Sequence, residues 1–222
     1  MVRRCDLVGG FVVLKKVDGF YRVVIEKGRC SRNCTLCKKC LERDIIRVVD
    51  DNEISDWNRY VVRHMERTGN LCRAILDDDD LYQAALLHDV GKLGISGRIL
   101  FKKGNINHYE WEQIRKHPVM GSRFLMNNGF DDKIVKAVLC HHERFDGSGY
   151  PEGIKGLDID LFARVISVAD AFDSMVNMRP YRRPRSFKKA VNELIKGTGK
   201  QFDPGIVEAL LSKIREERVC SK

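Results

Sequence analysis

The chain has 222 residues, of which 43% are hydrophobic and 32% charged, so one ordinary domain with a small appendage is expected and large-scale disorder is excluded. Its formal net charge of +9 suits an anionic ligand, but the positive residues are dispersed and match no nucleic-acid recognition motif. No stretch approaches the roughly 18 apolar residues of a membrane span, and no signal-peptide cleavage site follows the start. We therefore expect a cytoplasmic protein without membrane insertion or a nucleic-acid polymer as partner.

Two β-strands are predicted first, over residues 11–16 and 20–26, which are rich in valine, isoleucine and aromatic residues. Between them, Asp18 and Gly19 form a two-residue hairpin signal. A cysteine-rich segment follows at once. The sequence therefore predicts a small N-terminal β-hairpin and cysteine module over residues 1–45.

Eight cysteines in a chain without a secretory signal indicate metal binding or free thiols rather than disulfides. Four of them have the spacing of ligands to one metal site: Cys30, Cys34, Cys37 and Cys40. Zinc that staples the β unit is favoured, an iron–sulfur redox sensor is the close alternative, and a helical stripe of buried thiols is the third. The other four are predicted to be small buried side chains: Cys5, Cys72, Cys140 and Cys220.

From about Ser55 onward the pattern turns helical, so we predict a mainly α protein, with a helical-bundle domain over residues 46–222 after the N-terminal module. Asp203 and Pro204 suit the N-cap and first turn of the last helix, and Pro118 is expected to break or kink an earlier one. The predicted helices run from residue 55 or 56 to about 71, then over 81–87, 107–117, 132–142, 161–178, 186–195 and 203–217.

Five of the six histidines lie at or near predicted helices, together with carboxylates in apolar surroundings. A lone buried histidine is more often a satisfied core residue than a ligand, whereas a joint set of imidazoles and carboxylates suits Fe, Mn or Zn in a helical bundle. The sixth, His108, is predicted at an exposed helix start. The residues of the set are His64, His88, Asp89, His117, His141, His142 and Asp170.

Two longer motifs carry a family resemblance. Residues 87–95, LHDVGKLGI, resemble the signature of HD phosphohydrolases, and residues 141–151, HHERFDGSGYP, match the pattern H-H-E-x-x-D-G-x-G-Y-P of the HD-GYP branch. Residues 164–173, 179–182 and 201–204 continue the pattern, so the similarity covers about residues 55–217. The resemblance implies an HD-type bundle and a cyclic di-GMP phosphodiesterase.

The resemblance also implies a two-metal centre, with Fe or Mn expected, in which the seven residues of the set are the ligands and Asp89 bridges the ions. Some relatives carry a glutamate four residues before the first histidine and use it to hold a third metal. Tyr60 stands there in this chain, so two ions are expected. Two ions about 3.5–4 Å apart can share a hydroxide and hold the attacking and leaving oxygens. Cyclic di-GMP would then give linear pGpG, with cleavage to GMP as a further step.

Roles for other residues follow from the same resemblance. Lys92 is predicted as a catalytic residue that holds a phosphate oxygen, or else as a surface lysine that closes a helix end. Tyr150, Arg179 and Arg182 complete the predicted substrate contacts. The loop with Gly147, Gly149 and Pro151 is expected beside the metals and offers a surface for protein partners, and Asp146 and Asp173 are predicted either to orient ligands or to cap turns.

Two alternatives to this enzyme stay open. One is a receptor that binds the cyclic dinucleotide without cleaving it, which the complete ligand set disfavours. The other is an HD hydrolase that acts on another cyclic nucleotide, against which the Gly-Tyr-Pro motif and Arg179 speak.

Overall fold

A computed structural model of the chain describes residues 10–17, 20–27, 54–100, 102, 104–177 and 184–220. The chain divides into two units, Met1–Asn58 and Arg59–Lys222, which are taken separately. In the first unit, strand β1 (Gly10–Val17) pairs antiparallel with strand β2 (Phe20–Lys27), with Phe11 opposite Glu26 and Val17 opposite Phe20. Residues 18–19 and the four clustered cysteines lie outside the described residues, so the complete hairpin and cysteine module stays a prediction, as does the domain boundary at residue 45.

The rest of the described chain is helical, which confirms the mainly α prediction. Short 3-10 helices span Val90–Gly94 and Gly156–Asp158. The α-helices are α1 (Ile54–Ile75), α2 (Asp79–Leu87), α3 (Gly97–Leu100), α4 (His108–Ile114), α5 (His117–Asn127), α6 (Asp132–Cys140), α7 (Leu161–Val176), α8 (Phe187–Gly197) and α9 (Pro204–Cys220). In the described part of the chain, no helix has the length and apolar character that a membrane span requires.

Side-chain caps explain where several of these helices begin. An oxygen of the residue just before the helix accepts a backbone N–H of the first turn, which otherwise lacks a partner. Asn107 and Glu110 add a reciprocal capping box at α4. The acidic run at residues 77–80 supplies both a cap and favourable charge for α2. The capping residues are Asp78, Asn107, Asp131, Asp160 and Ser186.

One predicted helix boundary is wrong. The break expected at Pro118 falls earlier, because α4 ends at Ile114 and a new helix begins at His117. Pro118 lies in the first turn of α5, where a missing N–H removes no hydrogen bond. The proline therefore starts a helix that the sequence reading did not predict.

Two of the buried clusters that hold the second unit together lie within the residues that the structure describes. The larger one joins α7, α8 and α9 through side chains that include Phe172, Leu194, Phe202 and Leu210. A smaller one joins the end of α6 to the start of α7 through Cys140, Ile159 and Ala163. Cys72 and Cys140 are buried, as predicted for the isolated cysteines that the structure describes.

Helix α5 packs against α6 and against the first 3-10 helix. The approach at Gly91 is so close that a Cβ there would lie 1.9 Å from the carbonyl oxygen of His117 and 2.6 Å from the backbone nitrogen of Gly121. Only glycine fits, since main-chain atoms cannot move aside. This contact holds the residues around His88 against the start of α5.

Candidate metal centre

Three histidines stand at helix ends and share one orientation. His88 and His141 are the C-caps of α2 and α6, and His117 is the first residue of α5. Each ring donates Nδ1–H to the carbonyl oxygen three residues earlier in the chain, at 2.7 Å; the acceptors are Ala85, Ile114 and Val138. This bond fixes the tautomer, so that Nε2 carries the lone pair.

The three Nε2 atoms point into a common buried region. Those of His117 and His141 are 3.3 Å apart, and the ring centroids of His88 and His141 are 5.2 Å apart. All three side chains are almost fully buried. Within the described residues, Nε2 of His88 is buried without a hydrogen-bond partner. A buried acceptor in this situation is costly unless a further group binds it.

Asp89 lies between the imidazoles of this region. Its Oδ1 is 3.3 Å from Nε2 of His117, while its Oδ2 is 3.5 Å from Nε2 of His88 and 3.8 Å from Nε2 of His64. The same Oδ2 accepts a 2.5 Å hydrogen bond from Nζ of Lys92. One carboxylate thus faces two sets of nitrogen donors, which is the position required of a bridging ligand.

His64 extends the cluster from α1. Its Nε2 is 3.1 Å from Oδ1 of Asp170, and its Nδ1 donates to Oδ2 of Asp173 at 2.7 Å. Asp173 is buried and also accepts a two-pronged contact from Arg67, at 2.6 and 3.0 Å. Asp173 therefore contacts the predicted ligand His64 directly, as its predicted role in orienting a ligand requires.

His142 lies beside His141 and His117 and is less buried than they are. Its ring centroid is 4.1 Å from that of His141 and 4.9 Å from that of His117. The Tyr150 ring stacks on it at 4.9 Å with an interplanar angle of 26°. The guanidinium carbon of Arg115 lies 4.5 Å from the centre of the Tyr150 ring on which it rests. This three-layer stack joins α4, the end of α6 and the Gly-Tyr-Pro loop.

Burial and neighbouring charges prepare these groups for cations. Burial lowers the pKa of His88 and His141, and burial with the nearby His117 lowers the pKa of His142 to about 3, so these rings are neutral near pH 7. Burial disfavours ionised Asp89, but Lys92 and His88 hold its pKa well below the usual range. Neutral imidazoles and ionised carboxylates are the forms that bind metals.

His64 differs electrostatically from the other rings. Burial opposes its protonation, but hydrogen bonds with Asp170 and Asp173 outweigh burial and raise its pKa to about 9. Burial likewise disfavours ionised Asp170, yet the His64 hydrogen bond and charge hold the Asp170 pKa well below its usual range. An ion that binds His64 must therefore displace a proton from it.

Six of the seven predicted ligands fall into two groups, in each of which all ligand atoms lie within 4.8 Å of one another, and Asp170 contacts the first group through His64. One group is His64, His88 and Asp89, and the other is His117, His141 and His142. Imidazole with carboxylate suits Fe, Mn or Zn. The buried acceptor on His88 and the rings held by Nδ1 fit such ions, so the donor set fits two divalent cations.

The Gly-Tyr-Pro loop is pinned beside this centre by Glu143, which is 2% exposed. Its carboxylate accepts N–H from Glu152 at 2.6 Å and from Gly153 at 3.1 Å. A Cβ at Gly149 would lie 2.3 Å from the backbone nitrogen of Arg144, so only glycine fits there as well. These contacts place Tyr150 against His142.

The structure brings together all seven predicted metal ligands and places Lys92 and Tyr150 beside them. Asp146 does not contact a ligand: it accepts from Ser148 N and Oγ and therefore stabilises its own turn. His108 is an exposed helix start, as predicted. Arg179, Arg182, Cys30, Cys34, Cys37 and Cys40 lie outside the described residues.

Two residues at the site, Arg67 and Arg115, were not predicted from the sequence. The hydrogen bonds by which Glu143 holds the Gly-Tyr-Pro loop were not predicted either. Arg67 follows His64 by one helical turn, and Arg115 precedes His117 by two residues, so proximity to a ligand was the available signal. Proximity alone does not separate such an arginine from the solvated face of a helix.

The HD domain family matches residues 43–206 of the chain. A cyclic di-GMP phosphodiesterase of Thermotoga maritima is 38% identical over 164 residues, covering 69% of this chain and 45% of that protein. A 3'3'-cGAMP-specific phosphodiesterase 3 of Vibrio cholerae is 36% identical over 159 residues, covering 68% and 35%. The chain thus spans less than half the length of each of these relatives.

Among solved structures, an HDG"Y"P protein of Bdellovibrio bacteriovorus, Bd1817, superimposes with a TM-score of 0.57. The two chains are 21% identical, and the match covers 70% of this chain and 52% of the other. At this identity the likeness shows a shared fold.

Proposed function

The chain belongs to the HD domain family, and from this premise we propose that it is a metal-dependent phosphodiesterase that hydrolyses a cyclic dinucleotide, with cyclic di-GMP as the first candidate substrate. The observation that carries the proposal is the cluster of five imidazoles and two carboxylates, six of which form two ligand groups, with the two oxygens of Asp89 directed to both groups. A receptor that only binds a nucleotide does not require such a set, and a relative named for cyclic di-GMP hydrolysis matches the same part of the chain.

The metal ligands in this proposal are the seven residues given above, with Fe or Mn as the ions. When bound, two divalent ions would neutralise the anionic phosphodiester and activate water for in-line attack. Asp89 supplies one oxygen to each ligand group. The Nδ1 hydrogen bonds hold His88, His117 and His141 in the tautomer that leaves Nε2 for the metal. Linear pGpG is the proposed first product, and GMP the product of a second cleavage.

Lys92 is proposed as the phosphate ligand on the protein side. Its side chain is 25% exposed, and its ammonium group donates one hydrogen bond to Asp89 out of the three that an ammonium group can donate. A second donor can therefore reach a non-bridging phosphate oxygen while the first keeps the Asp89 carboxylate in place. Tyr150, on the face of His142, is proposed to contact the substrate beside it. Arg179 and Arg182 are proposed as further cationic contacts to phosphate or guanine.

A second substrate is supported by one observation. The Vibrio cholerae relative is named as specific for 3'3'-cGAMP and is nearly as similar to this chain as the cyclic di-GMP relative. The predicted metal ligands would act on the phosphodiester and would not distinguish guanine from adenine. Cyclic GMP-AMP is therefore the alternative substrate to assay in parallel.

The remaining predictions concern a cysteine segment outside the described residues, a protein partner and a cellular location. We propose that Cys30, Cys34, Cys37 and Cys40 hold zinc or an iron–sulfur cluster, in a separate module before the HD domain. An anaerobic visible absorption spectrum distinguishes the two, because a zinc site is colourless. A protein partner at the Gly-Tyr-Pro loop and a cytoplasmic location also stay predictions.

The central experiment is an activity assay. Purified chain with Mn²⁺ or Fe²⁺ and cyclic di-GMP is expected to release pGpG or GMP, with cyclic GMP-AMP in a parallel reaction. The variant that combines His88→Ala with Asp89→Ala removes one imidazole and the central carboxylate, and should lose this activity. Wild-type protein that binds cyclic di-GMP and cleaves it no faster than the variant would show that the chain is a receptor.

A further inference from the structure

The carboxylate of Asp173 is saturated by nitrogen donors from two helices. Its Oδ2 accepts from His64 Nδ1 at 2.7 Å and from Arg67 Nη2 at 3.0 Å. Its Oδ1 accepts from Arg67 Nε at 2.6 Å and from Asn177 Nδ2 at 2.7 Å. The side chain of Asp173 is 2% exposed, so water contributes little to these contacts.

Arg67 supplies two of these four bonds in a fork. It lies three residues after His64 on α1, so the two side chains lie on the same helical face and meet one carboxylate on α7. A guanidinium fork fixes the plane of a carboxylate, which a single donor does not do. The orientation of Asp173, and through it the orientation of the His64 ring, is therefore set by Arg67.

His64 belongs to only one of the two ligand groups, with His88 and Asp89. The rings of the other group do not use Asp173: Nδ1 of His117 and Nδ1 of His141 donate to main-chain carbonyls, and His142 packs on Tyr150. A change at Asp173 or its partners is thus transmitted to one ion site and not to the other.

We propose that Arg67 is a positioning residue that sets the affinity of the ion held by His64, His88 and Asp89. The inference rests on the two-ion centre of the proposed function and assigns the control of one half of it. Arg67 does not contact an ion. It holds Asp173, Asp173 holds Nδ1 of His64, and Nε2 of His64 is thereby kept in the ligand group.

Loss of the fork leaves Asp173 with two donors instead of four, and both the carboxylate and the His64 ring gain freedom to rotate. Removal of a hydrogen-bonding partner behind a metal ligand typically lowers metal affinity about 10–100-fold. We expect a loss of that size at one ion after Arg67→Gln, and a smaller loss after Arg67→Lys, which keeps the charge and a donor.

The test is a Mn²⁺ titration of the metal-stripped 222-residue chain, read by calorimetry and by the paramagnetic resonance signal of free Mn²⁺. Wild type, Arg67→Gln, Arg67→Lys and the control Arg63→Gln are compared. Arg63 is exposed on the same helix, so its replacement removes the same charge one residue from His64. The clustered cysteines are present in all four proteins and cannot account for a difference between them.

Weakening of one Mn²⁺ site in both Arg67 variants, with the other site and the Arg63→Gln protein unchanged, supports the proposal. Equal affinities in wild type and variants, or equal loss at both ions, overturns it. Circular dichroism of the metal-free proteins establishes that they are folded, and Arg67→Lys keeps the comparison decisive if Arg67→Gln unfolds. Wild type that binds two ions but cleaves no cyclic dinucleotide refutes the proposed function and leaves this inference standing.

Discussion

Glu143 shows at the scale of one residue how the loop beside the metal centre is held. Its buried carboxylate has no charged partner among the hydrogen bonds of the described residues and instead accepts the backbone N–H groups of Glu152 and Gly153. Ionised carboxylates bind backbone N–H groups strongly, so one side chain orders the turn that carries Tyr150. The loop therefore depends on the charge of Glu143 as well as on its shape.

Replacement of Glu143 by glutamine should destabilise the protein by about 1–3 kcal/mol. Both carboxylate oxygens accept backbone N–H groups, and glutamine replaces one of them with an NH2 group, which cannot accept a hydrogen bond. We expect kcat/KM for the cyclic dinucleotide to fall as well, since Tyr150 loses its support. Urea unfolding and steady-state kinetics measure the two effects. Glu152→Gln is the matched control, since it removes an exposed charge from the same loop and leaves the backbone donor; comparable losses in both variants would contradict this reading.

Four of the seven predicted ligands come from the HD and HHE motifs, which place histidine beside aspartate or histidine and carry family information: His88, Asp89, His141 and His142. Arg67 was not predictable in the same way. Its role depends on Asp173, more than 100 residues away, and an arginine on the polar face of a helix has the same local sequence whether or not it meets a carboxylate. Lys92 was predicted near a phosphate, but its contact with Asp89 became visible only in the structure.

At the scale of helices, the pairing of Arg164 with Asp203 joins the start of α7 to the start of α9. Nη1 of Arg164 donates to Oδ2 of Asp203, and Nε donates to the Ile159 carbonyl at 3.0 Å. The other oxygen of Asp203 caps α9 by accepting Gly205 N–H at 2.8 Å. One carboxylate thus combines a helix cap with an interhelical ion pair.

Asp203→Asn should keep the cap and weaken the ion pair, which lowers the free energy of unfolding by about 1–3 kcal/mol because Arg164 stays largely buried with a neutral partner. Asp131→Asn changes the exposed cap of α6 in the same chemical way. Asparagine and aspartate are equivalent N-caps, so we expect a change within about 0.5 kcal/mol there. Chemical denaturation compares the two, and an equal effect of both substitutions would exclude a special contribution of the ion pair.

Helix α5 marks the limit of prediction at this scale. Periodicity and caps gave the positions of α1, α2, α6, α7, α8 and α9 to within a few residues, and all of these except α1 begin at a polar capping residue in the structure. For α5, a proline inside a helical pattern was read as an end, whereas the same missing N–H is harmless in a first turn. The local sequence alone does not distinguish these two positions.

For the molecule as a whole, the cluster of ligands implies a link between metal and stability. The buried acceptor Nε2 of His88 has no hydrogen-bond partner among the described residues, and a cation would supply one. An ion that binds only the native state stabilises it by RT ln(1 + [L]/Kd). At 100 times Kd this amounts to about 2.7 kcal/mol.

Addition of Mn²⁺ to metal-stripped protein should therefore raise Tm by about 5–10 °C for a unit of this size. Thermal unfolding followed by circular dichroism is the measurement. The combined His88→Ala and Asp89→Ala variant should show a much smaller rise, since it lacks the central ligands. A rise of equal size in this variant would place the stabilising ion somewhere else in the chain.

The histidines held by main-chain carbonyls differ from His64 in how they would respond to mutational drift. Any residue at positions 85, 114 or 138 presents the same carbonyl, so the orientation of those three rings survives substitutions that preserve the helix ends. His64 instead depends on the identity of one distant side chain. Substitution at that one distant position could therefore misplace the predicted ligand on α1 while the three rings held by carbonyl oxygens keep their orientation.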